Sequence, residues 1–299
     1  MRKWVAQGET PVNGVIMLDA QALADMLEGG PDIKVGPSRV VAAPQLTEYL
    51  SIGQYYGVPL NPSGLSKRKD GLAAAASSVL RRLTSSGGST QQLLKGLVTA
   101  VRSGHVHMAS PDPALAPTLE RTKLDGALPA GSAPVAYAVL NNATGGKLDY
   151  FLRRSISYAG GSCHARRRET SVDVTLLNSA PTLAALPRYV TLRELGDGPP
   201  QSVTNRVLLS VYGTRGAVLV SASLNGRAVS TVPGRTLTTI EPGVERGLPI
   251  WQVAVDLPPG DPVTLRLNLS EPVVAGTARI PVQPLAQPLD VTNTLPVCK

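Results

Sequence analysis

The residues best suited to chemistry in this chain are basic, and the densest run is Lys67, Arg68 and Lys69, followed by Asp70. They stand near the start of a predicted helix over Ser66–Leu83. Cations at a helix start oppose the helix dipole, which favours an anionic partner there. Backbone N–H groups at a helix start, together with Lys and Arg, can bind phosphate. The pattern predicts an anion site at Lys67, Arg68 and Lys69; the alternative is a solvated helix start.

Two further groups of arginines lie in the second half of the chain. Arg153 and Arg154 end an alternating run and are added to the candidate anion-binding residues, although consecutive strand positions face opposite sides of a sheet. Arg166–Arg168 follow His164 and are typical either of a polyanion contact or of a plain basic loop.

The sequence contains no recognisable metal-binding or catalytic motif. His105 and His107 would share one face of a strand, but with no third ligand an exposed strand is the expectation and no metal site is assigned. Asp19 is explained by capping a helix over Ala20–Glu28. No Gly-x-Ser-x-Gly, P-loop or Rossmann pattern is present, so the catalytic residues are unknown and no cofactor is evident.

Two cysteines, Cys163 and Cys298, are present without a CxxC or Cys/His metal spacing. In an exported protein they would form one disulfide; otherwise they are two free thiols. The sequence leaves both alternatives open.

The chain of 299 residues carries 29 Lys and Arg against 21 Asp and Glu, a net charge of +8. That excess favours acidic partners such as anionic cell-wall polymer, lipid phosphate or nucleic acid, although Arg-rich composition also follows from a GC-rich genome. No nucleic-acid motif accompanies it. The chain shows no apolar run of transmembrane length and no signal-peptide core after Trp4.

The predicted secondary structure differs between the two halves of the chain. Residues 1–134 alternate short strands with helices, including Thr90–Arg102 and a helix over Pro111–Lys123, as in α/β proteins. From Val135 the apolar period becomes two, with a hairpin signal at Asn225-Gly226. The predicted strands are Val135–Leu140, Leu148–Tyr158, Thr170–Asn178, Tyr189–Leu195, Asn205–Tyr212, Val218–Leu224, Trp251–Leu257, Val263–Leu269 and Ala278–Val282.

These patterns predict an α+β chain with three parts. A partial α/β domain over 1–134, with helices on a small mixed sheet, precedes an immunoglobulin-like β-sandwich over 135–283. An extended C-terminal tail covers 284–299.

Several stretches carry a family resemblance. The segment Asn141–Arg154 (NNATGGKLDYFLRR) resembles a signature of the bacterial domain-of-unknown-function family 4012, common in actinobacteria. Matching stretches run in the same order over most of the chain: Val12–Leu23, Leu177–Pro181, Leu186–Val190 and Thr204–Gly213. The resemblance implies an extracytoplasmic envelope protein, membrane-anchored in full-length homologues. The chain would then begin inside the family domain, without the anchor and the earlier strands.

A more distant resemblance concerns Gly14–Gly30, which is similar to the strand–helix unit of LytR-CpsA-Psr ligases. Those enzymes transfer phosphate-linked glycopolymers from a polyprenyl carrier, using arginines and acidic residues with a divalent metal. Their Arg-rich helix start is loosely matched by Ser66–Asp70, whereas their acidic metal-site segment has no counterpart here.

Three functions follow as expectations. The first is a cell-envelope protein with an interaction or structural role, whose partners are anionic cell-wall polymer or other envelope proteins. The second is a phosphotransferase related to the LytR-CpsA-Psr ligases, the only case that would need a divalent metal. The third is a polyanion-binding module. Of these alternatives, the sequence as given favours a non-enzymatic role.

Overall fold

The computed structural model describes residues 6, 8, 10–35, 39–59, 61–84, 90–163, 166–191, 203–230 and 239–298, without the side chains of Leu65, Arg82 and Leu83. The chain is α+β and forms two compact units, Met1–Ala127 and Leu128–Lys299. The boundary falls before the expected residue 135 because Leu128 packs against Tyr212 and Ile250 of the second unit. Within the described residues, none of the helices combines the length and the apolar character that crossing a bilayer requires.

The first unit contains five α-helices and four short strands among its described residues. The helices are α1 (Ala20–Leu27), α2 (Leu46–Ser51), α3 (Pro62–Thr84), α4 (Thr90–Arg102) and α5 (Ala116–Thr122). The strands are β1 (Val15–Leu18), β2 (Ile33–Lys34), β3 (Val40–Val41) and β4 (Val106–Ala109).

Helix starts in this unit follow local chemistry. Asp19 caps α1 as predicted, its carboxylate accepting a hydrogen bond from Ala22 N at 2.9 Å. The helix predicted over Pro111–Lys123 begins later than expected. Asp112, rather than Ser110, caps a short 3₁₀ turn that begins at Pro113 and leads into α5.

The strands of the first unit do not form the single mixed sheet that was expected. β1 pairs antiparallel with β4, and β2 pairs antiparallel with β3, as two separate two-stranded ladders. A strand followed by a helix resembles the start of a parallel βαβ unit. Here, however, the chain passes through α1 to α4 before β4 returns beside β1 in the opposite direction.

Helices α1 and α4 approach so closely at Gly96 that a Cβ there would lie 2.2 Å from Asp25 O and 2.6 Å from Met26 Cα. We expect Gly96→Ala to destabilise the first unit by about 1–3 kcal/mol through overpacking, despite alanine's better helix propensity. Urea unfolding followed by far-UV circular dichroism measures the effect.

Gly71→Ala is the matched control for Gly96→Ala. Gly71 lies on α3, and the nearest atom to its added Cβ is Val35 O at 3.3 Å. An equal or smaller loss at Gly96 than at Gly71 would contradict the close approach of the two helices.

The second unit is a β-sandwich of two sheets. Its strands are β5 (Ala136–Asn142), β6 (Leu152–Gly160), β7 (Arg167–Asn178), β8 (Asn205–Gly213), β9 (Val218–Leu224), β10 (Arg227–Ala228), β11 (Glu241–Glu245), β12 (Leu248–Leu257), β13 (Pro262–Pro272) and β14 (Leu289–Asn293). The larger sheet has the order β10-β9-β13-β7-β6-β14 and the smaller the order β11-β12-β8-β5. All pairings between these strands are antiparallel except β14 with β6.

One apolar core joins the two sheets because alternate residues of their central strands point inward. Strand β7 shows the alternation, with Val172, Val174 and Leu176 buried. They pack in one cluster with residues of the smaller sheet, such as Val207 and Val211 of β8. This is the sandwich architecture expected from the sequence, although β11 and β12 of the smaller sheet separate β9 from β13 along the chain.

The turn at Asn225-Gly226 is the hairpin that the sequence predicts. Both residues have positive φ, 48° and 76°, which a two-residue primed turn between β9 and β10 requires. Three other strand predictions fail in whole or in part. The strand expected over Leu148–Tyr158 begins only at Leu152, because Leu148–Phe151 form a 3₁₀ helix. Tyr189–Thr191 form turns, with 192–195 outside the described residues, and Ala278–Val282 contribute only a single bridge from Arg279 to Val135.

The residues expected to form a separate tail belong to the sandwich. We call Gln283–Cys298 the C-terminal strap. Its β14 pairs in parallel with β6, and Gln283 exchanges two hydrogen bonds with the backbone of Leu140 on β5. The strap thereby covers an edge strand of each sheet, where unpaired backbone groups would otherwise face water.

Candidate functional site

A cavity of about 620 Å³ in the first unit brings four cationic side chains together. We call it the cationic cleft, defined by Lys34, Arg39, Lys67 and Arg68. Among its lining residues Asp70 supplies a single carboxylate. Two of the cations, Lys67 and Arg68, are residues that the sequence analysis proposed for anion binding.

The start of α3 positions Lys67 and Arg68. Asn61 accepts a hydrogen bond from Gly64 N at 2.8 Å, and Pro62 is the first residue of the helix, where its fixed φ is favourable. Lys67 and Arg68 follow in the next turn, so a stable helix start fixes their backbones.

The hairpin of β2 and β3 supplies the facing side of the cleft. Lys34 ends β2 and Arg39 directly precedes β3, and Val35 N donates to Arg39 O at 2.9 Å. Ile33 and Val41 are buried in the core of the unit, which anchors the hairpin.

Tyrosine rings hold both arginines of the cleft in place. The Arg39 guanidinium lies 4.8 Å from the centre of the Tyr49 ring, and that of Arg68 lies 5.5 Å from the Tyr55 ring. Tyr49 also donates its hydroxyl to Val35 O at 3.4 Å. Such cation–π contacts orient a guanidinium without neutralising its charge.

The cleft is therefore suited to bind an anion. Four cations facing one cavity repel one another, and an anion that enters relieves this repulsion. Arginine and lysine both donate charge-assisted hydrogen bonds to phosphate and carboxylate oxygens. Apolar lining from Val35, Val58 and Ala74 leaves room for a non-ionic part of a ligand.

The other proposed anion-binding residues have different positions. Lys69 is exposed and does not line the cleft. Arg153 and Arg154 belong to β6 of the second unit, where Arg153 is exposed and Arg154 is buried.

Arg154 contacts the C-terminal strap. Its guanidinium donates to Gln283 O at 3.1 Å and to Gln287 O at 2.9 Å. Burial lowers the pKa of Arg154 to about 10, and the nearby Tyr137 opposes that shift. Sequence reasoning had no signal for this role, because the carbonyls are more than a hundred residues away.

The cysteines form a disulfide, Cys163–Cys298, which closes a separation of 135 residues. Of the basic run beside Cys163, Arg166 and Arg167 are exposed and Arg168 is buried, and His164 lies outside the described residues. Arg168 donates to Pro296 O at 3.1 Å and contacts Cys298 Sγ at 3.4 Å.

The two histidines of the first unit have separate environments. His105 Nδ1 lies 2.5 Å from Asp19 Oδ2, so His105 contacts the capping residue of α1. His107, on β4, packs beside Gly126, where an added Cβ would lie 3.0 Å from Nδ1. In the described part of the chain, no three His, Cys, Asp or Glu side chains lie close enough to form a metal site.

The loop Asn141–Lys147, which opens the segment Asn141–Arg154 discussed above, has a structural role. Asn142 Oδ1 accepts from Thr144 N and Gly145 N, while its Nδ2 donates to Asp149. Asn205 donates to the other oxygen of Asp149 at 2.7 Å. These contacts fix the link between β5 and β6 to the start of β8.

Sequence reasoning missed Lys34, Arg39 and the tyrosines of the cleft. The available signal was a pair of short apolar pieces on either side of Gly36–Ser38 in the sequence. One piece carries Lys34 and the other follows Arg39. A hairpin between them would have placed Lys34 and Arg39 close together.

Comparisons with known proteins add little to this geometry. No family model matches the chain, and no curated protein matches it significantly. A solved structure described as a putative nutrient binding protein of Legionella pneumophila is similar at a TM-score of 0.27 and 6% identity, covering 48% of this chain and 44% of that one. A mutant two-domain M1 zinc metallopeptidase bound to L-tryptophan is similar at 0.21 and 13%, covering 40% of this chain and 20% of that one. Each likeness thus spans less than half of the known protein, and at these TM-scores neither carries an argument about function.

Proposed function

We propose that this chain is a non-catalytic, extracytoplasmic protein of the cell envelope that binds a small anionic ligand in the cationic cleft. The observation that carries the proposal is the convergence of Lys34, Arg39, Lys67 and Arg68 on one cavity beside a single carboxylate. A phosphate-bearing ligand fits best, because arginine can donate two parallel hydrogen bonds to one phosphate group.

The disulfide supports the extracytoplasmic part of the proposal. Disulfides persist in oxidising compartments and are rare in the reducing cytosol. Thiol alkylation of cells that express the protein tests this: Cys163 and Cys298 should resist alkylation until a reductant is added. Rapid labelling without a reductant would contradict an extracytoplasmic location.

Isothermal titration with pyrophosphate, orthophosphate and glycerol phosphate tests the cleft. We expect Lys67→Gln to weaken binding about tenfold, the loss of one hydrogen bond to a charged group. Lys69→Gln is the matched control, because it removes the same charge from the neighbouring, exposed position outside the cleft. Equal weakening by both variants would show attraction by net charge and refute a specific site.

The phosphotransferase alternative has its own outcome in the same system. Release of orthophosphate from pyrophosphate in the presence of Mg²⁺ or Mn²⁺, lost in Lys67→Gln but kept in Lys69→Gln, would favour an enzyme related to the LytR-CpsA-Psr ligases. Binding without turnover favours the non-catalytic role.

A further inference from the structure

Four exposed arginines lie at the start of β7 and in two turns of the sandwich, all in the second unit. We call Arg166, Arg167, Arg215 and Arg246 the arginine rim. Arg166 precedes β7 and Arg167 is its first residue, Arg215 lies in the β8–β9 turn, and Arg246 lies in the β11–β12 turn.

Hydrogen bonds connect these turns into one surface. Arg167 Nη2 donates to Gly216 O at 3.1 Å, which joins the start of β7 to the β8–β9 turn. Arg215 Nη2 donates to Arg246 O at 3.1 Å, which joins that turn to the β11–β12 turn. The Arg215 guanidinium lies directly on Gly247, where a Cβ would come within 1.8 Å of Nη1.

The acceptors that orient these arginines are neutral. Arg167 donates to the Ser270 hydroxyl at 2.9 Å as well as to carbonyls, and Arg215 donates to a carbonyl. Across the described residues, the arginines of the second unit that form ion pairs are Arg206 with Asp256 and Arg266 with Asp173. In the described part of the chain, no ion pair involves an arginine of the rim.

Carboxylates near the rim do not cancel this charge. Glu169 is exposed two residues after Arg167 on β7, and Glu245 accepts a hydrogen bond from the Tyr212 hydroxyl. Glu271 is fully buried and faces the interior. Two exposed carboxylates therefore stand beside four guanidinium groups.

We propose that the arginine rim binds a linear phosphate polymer. Several guanidinium groups spread over adjacent turns match an anion that repeats along a chain better than a single small anion. Among the described residues, the exposed large aromatic is Tyr56 of the first unit, so the rim lacks the stacking side chains that single-stranded nucleic acid uses. The rim is independent of the cationic cleft and of its proposed ligand.

Fluorescence anisotropy with labelled inorganic polyphosphate tests the proposal in the full chain. We expect Arg166→Gln/Arg246→Gln to weaken binding by about tenfold or more, since charge-assisted contacts to phosphate are lost. No side-chain hydrogen bond of Arg166 or Arg246 stabilises the fold in the described structure, so this variant should fold normally. Arg167→Gln/Arg215→Gln should weaken binding similarly, with thermal unfolding checked in parallel.

Arg206→Gln/Arg266→Gln is the matched control, because it also removes two positive charges but from ion-paired positions. We expect polyphosphate affinity to change less than about threefold in this control, because screening at physiological salt weakens the contribution of distant charges. Equal weakening in the rim and control variants would overturn the proposal. Tighter rim-dependent binding of a single-stranded DNA homopolymer than of polyphosphate would overturn it as well. In isothermal titration, Arg166→Gln/Arg246→Gln should leave pyrophosphate binding unchanged, which separates the rim from the cationic cleft.

Discussion

Removing the disulfide by Cys163→Ala/Cys298→Ala is expected to lower the free energy of unfolding of the second unit by about 2–5 kcal/mol. The bond spans 135 residues, and a cross-link over so long a stretch strongly restricts the unfolded chain. The pairing of β14 with β6 and the Arg168–Pro296 hydrogen bond do not involve the thiols, so the variant should still fold with the strap in place.

Trp251 provides the measurement, since it is buried in the core of the sandwich. The chain has two tryptophans, so a Trp4→Phe background makes Trp251 the single reporter of urea unfolding. The same protein with its disulfide chemically reduced is the control and should unfold at the midpoint of the double variant. An unchanged midpoint on reduction would show that the disulfide does not contribute to stability.

Arg168→Met is expected to destabilise the second unit by about 1.5–3 kcal/mol, because it removes the charge-assisted hydrogen bond to Pro296 O and the positive charge that faces Glu271 across the ladder. Arg168 and Glu271 are directly opposite each other on β7 and β13, and both are buried. Tyr158 donates its hydroxyl to Glu271, and Arg168 reaches the strap at Pro296. Arg206→Met is the control, since its exposed pair with Asp256 contributes at most about 1 kcal/mol.

The same group makes stability depend on pH. Burial raises the pKa of Glu271 above its ordinary 4.5, although hydrogen bonds from Tyr158 and the charge of Arg168 oppose the shift. Between 4.5 and the raised pKa, the folded protein binds a proton that the unfolded chain has lost, so the free energy of unfolding falls as pH rises through that window.

Glu271→Gln should remove this slope, and Arg168→Met should extend it to higher pH because the opposing cation is gone. Urea midpoints of Trp251 fluorescence across the pH series measure both effects. A slope that persists unchanged in Glu271→Gln would assign the pH dependence to other groups.

The sequence predicts this fold best where local periodicity decides structure. The alternation in Thr170–Asn178, the primed turn at Asn225-Gly226 and the Asp19 cap all depend on neighbouring residues, and each is present. The strap is different: its pairing with β6 and its contacts with Arg154 connect residues more than a hundred positions apart. Extended, proline-rich sequence does not reveal such a partner.

The candidate sites show the same division. Lys67 and Arg68 stand out because they follow one another at a helix start, whereas Lys34 and Arg39 join them only through the β2–β3 hairpin. Arg153 and Arg154 look equivalent in sequence, and burial alone separates the exposed residue from the one that binds the strap. The arginine rim combines residues from three separate parts of the chain, so no single sequence motif predicts it.

The C-terminal strap also determines when the sandwich can be completed during synthesis. Strand β6 is made early in the second unit, whereas its outer neighbour β14 follows much later in the chain and Cys298 follows Cys163 by 135 residues. Translation proceeds from the N-terminus, so the edge of β6 stays unpaired until the strap has been made. The pairing of β14 with β6 and the disulfide therefore raise the contact order of the second unit, which slows its folding.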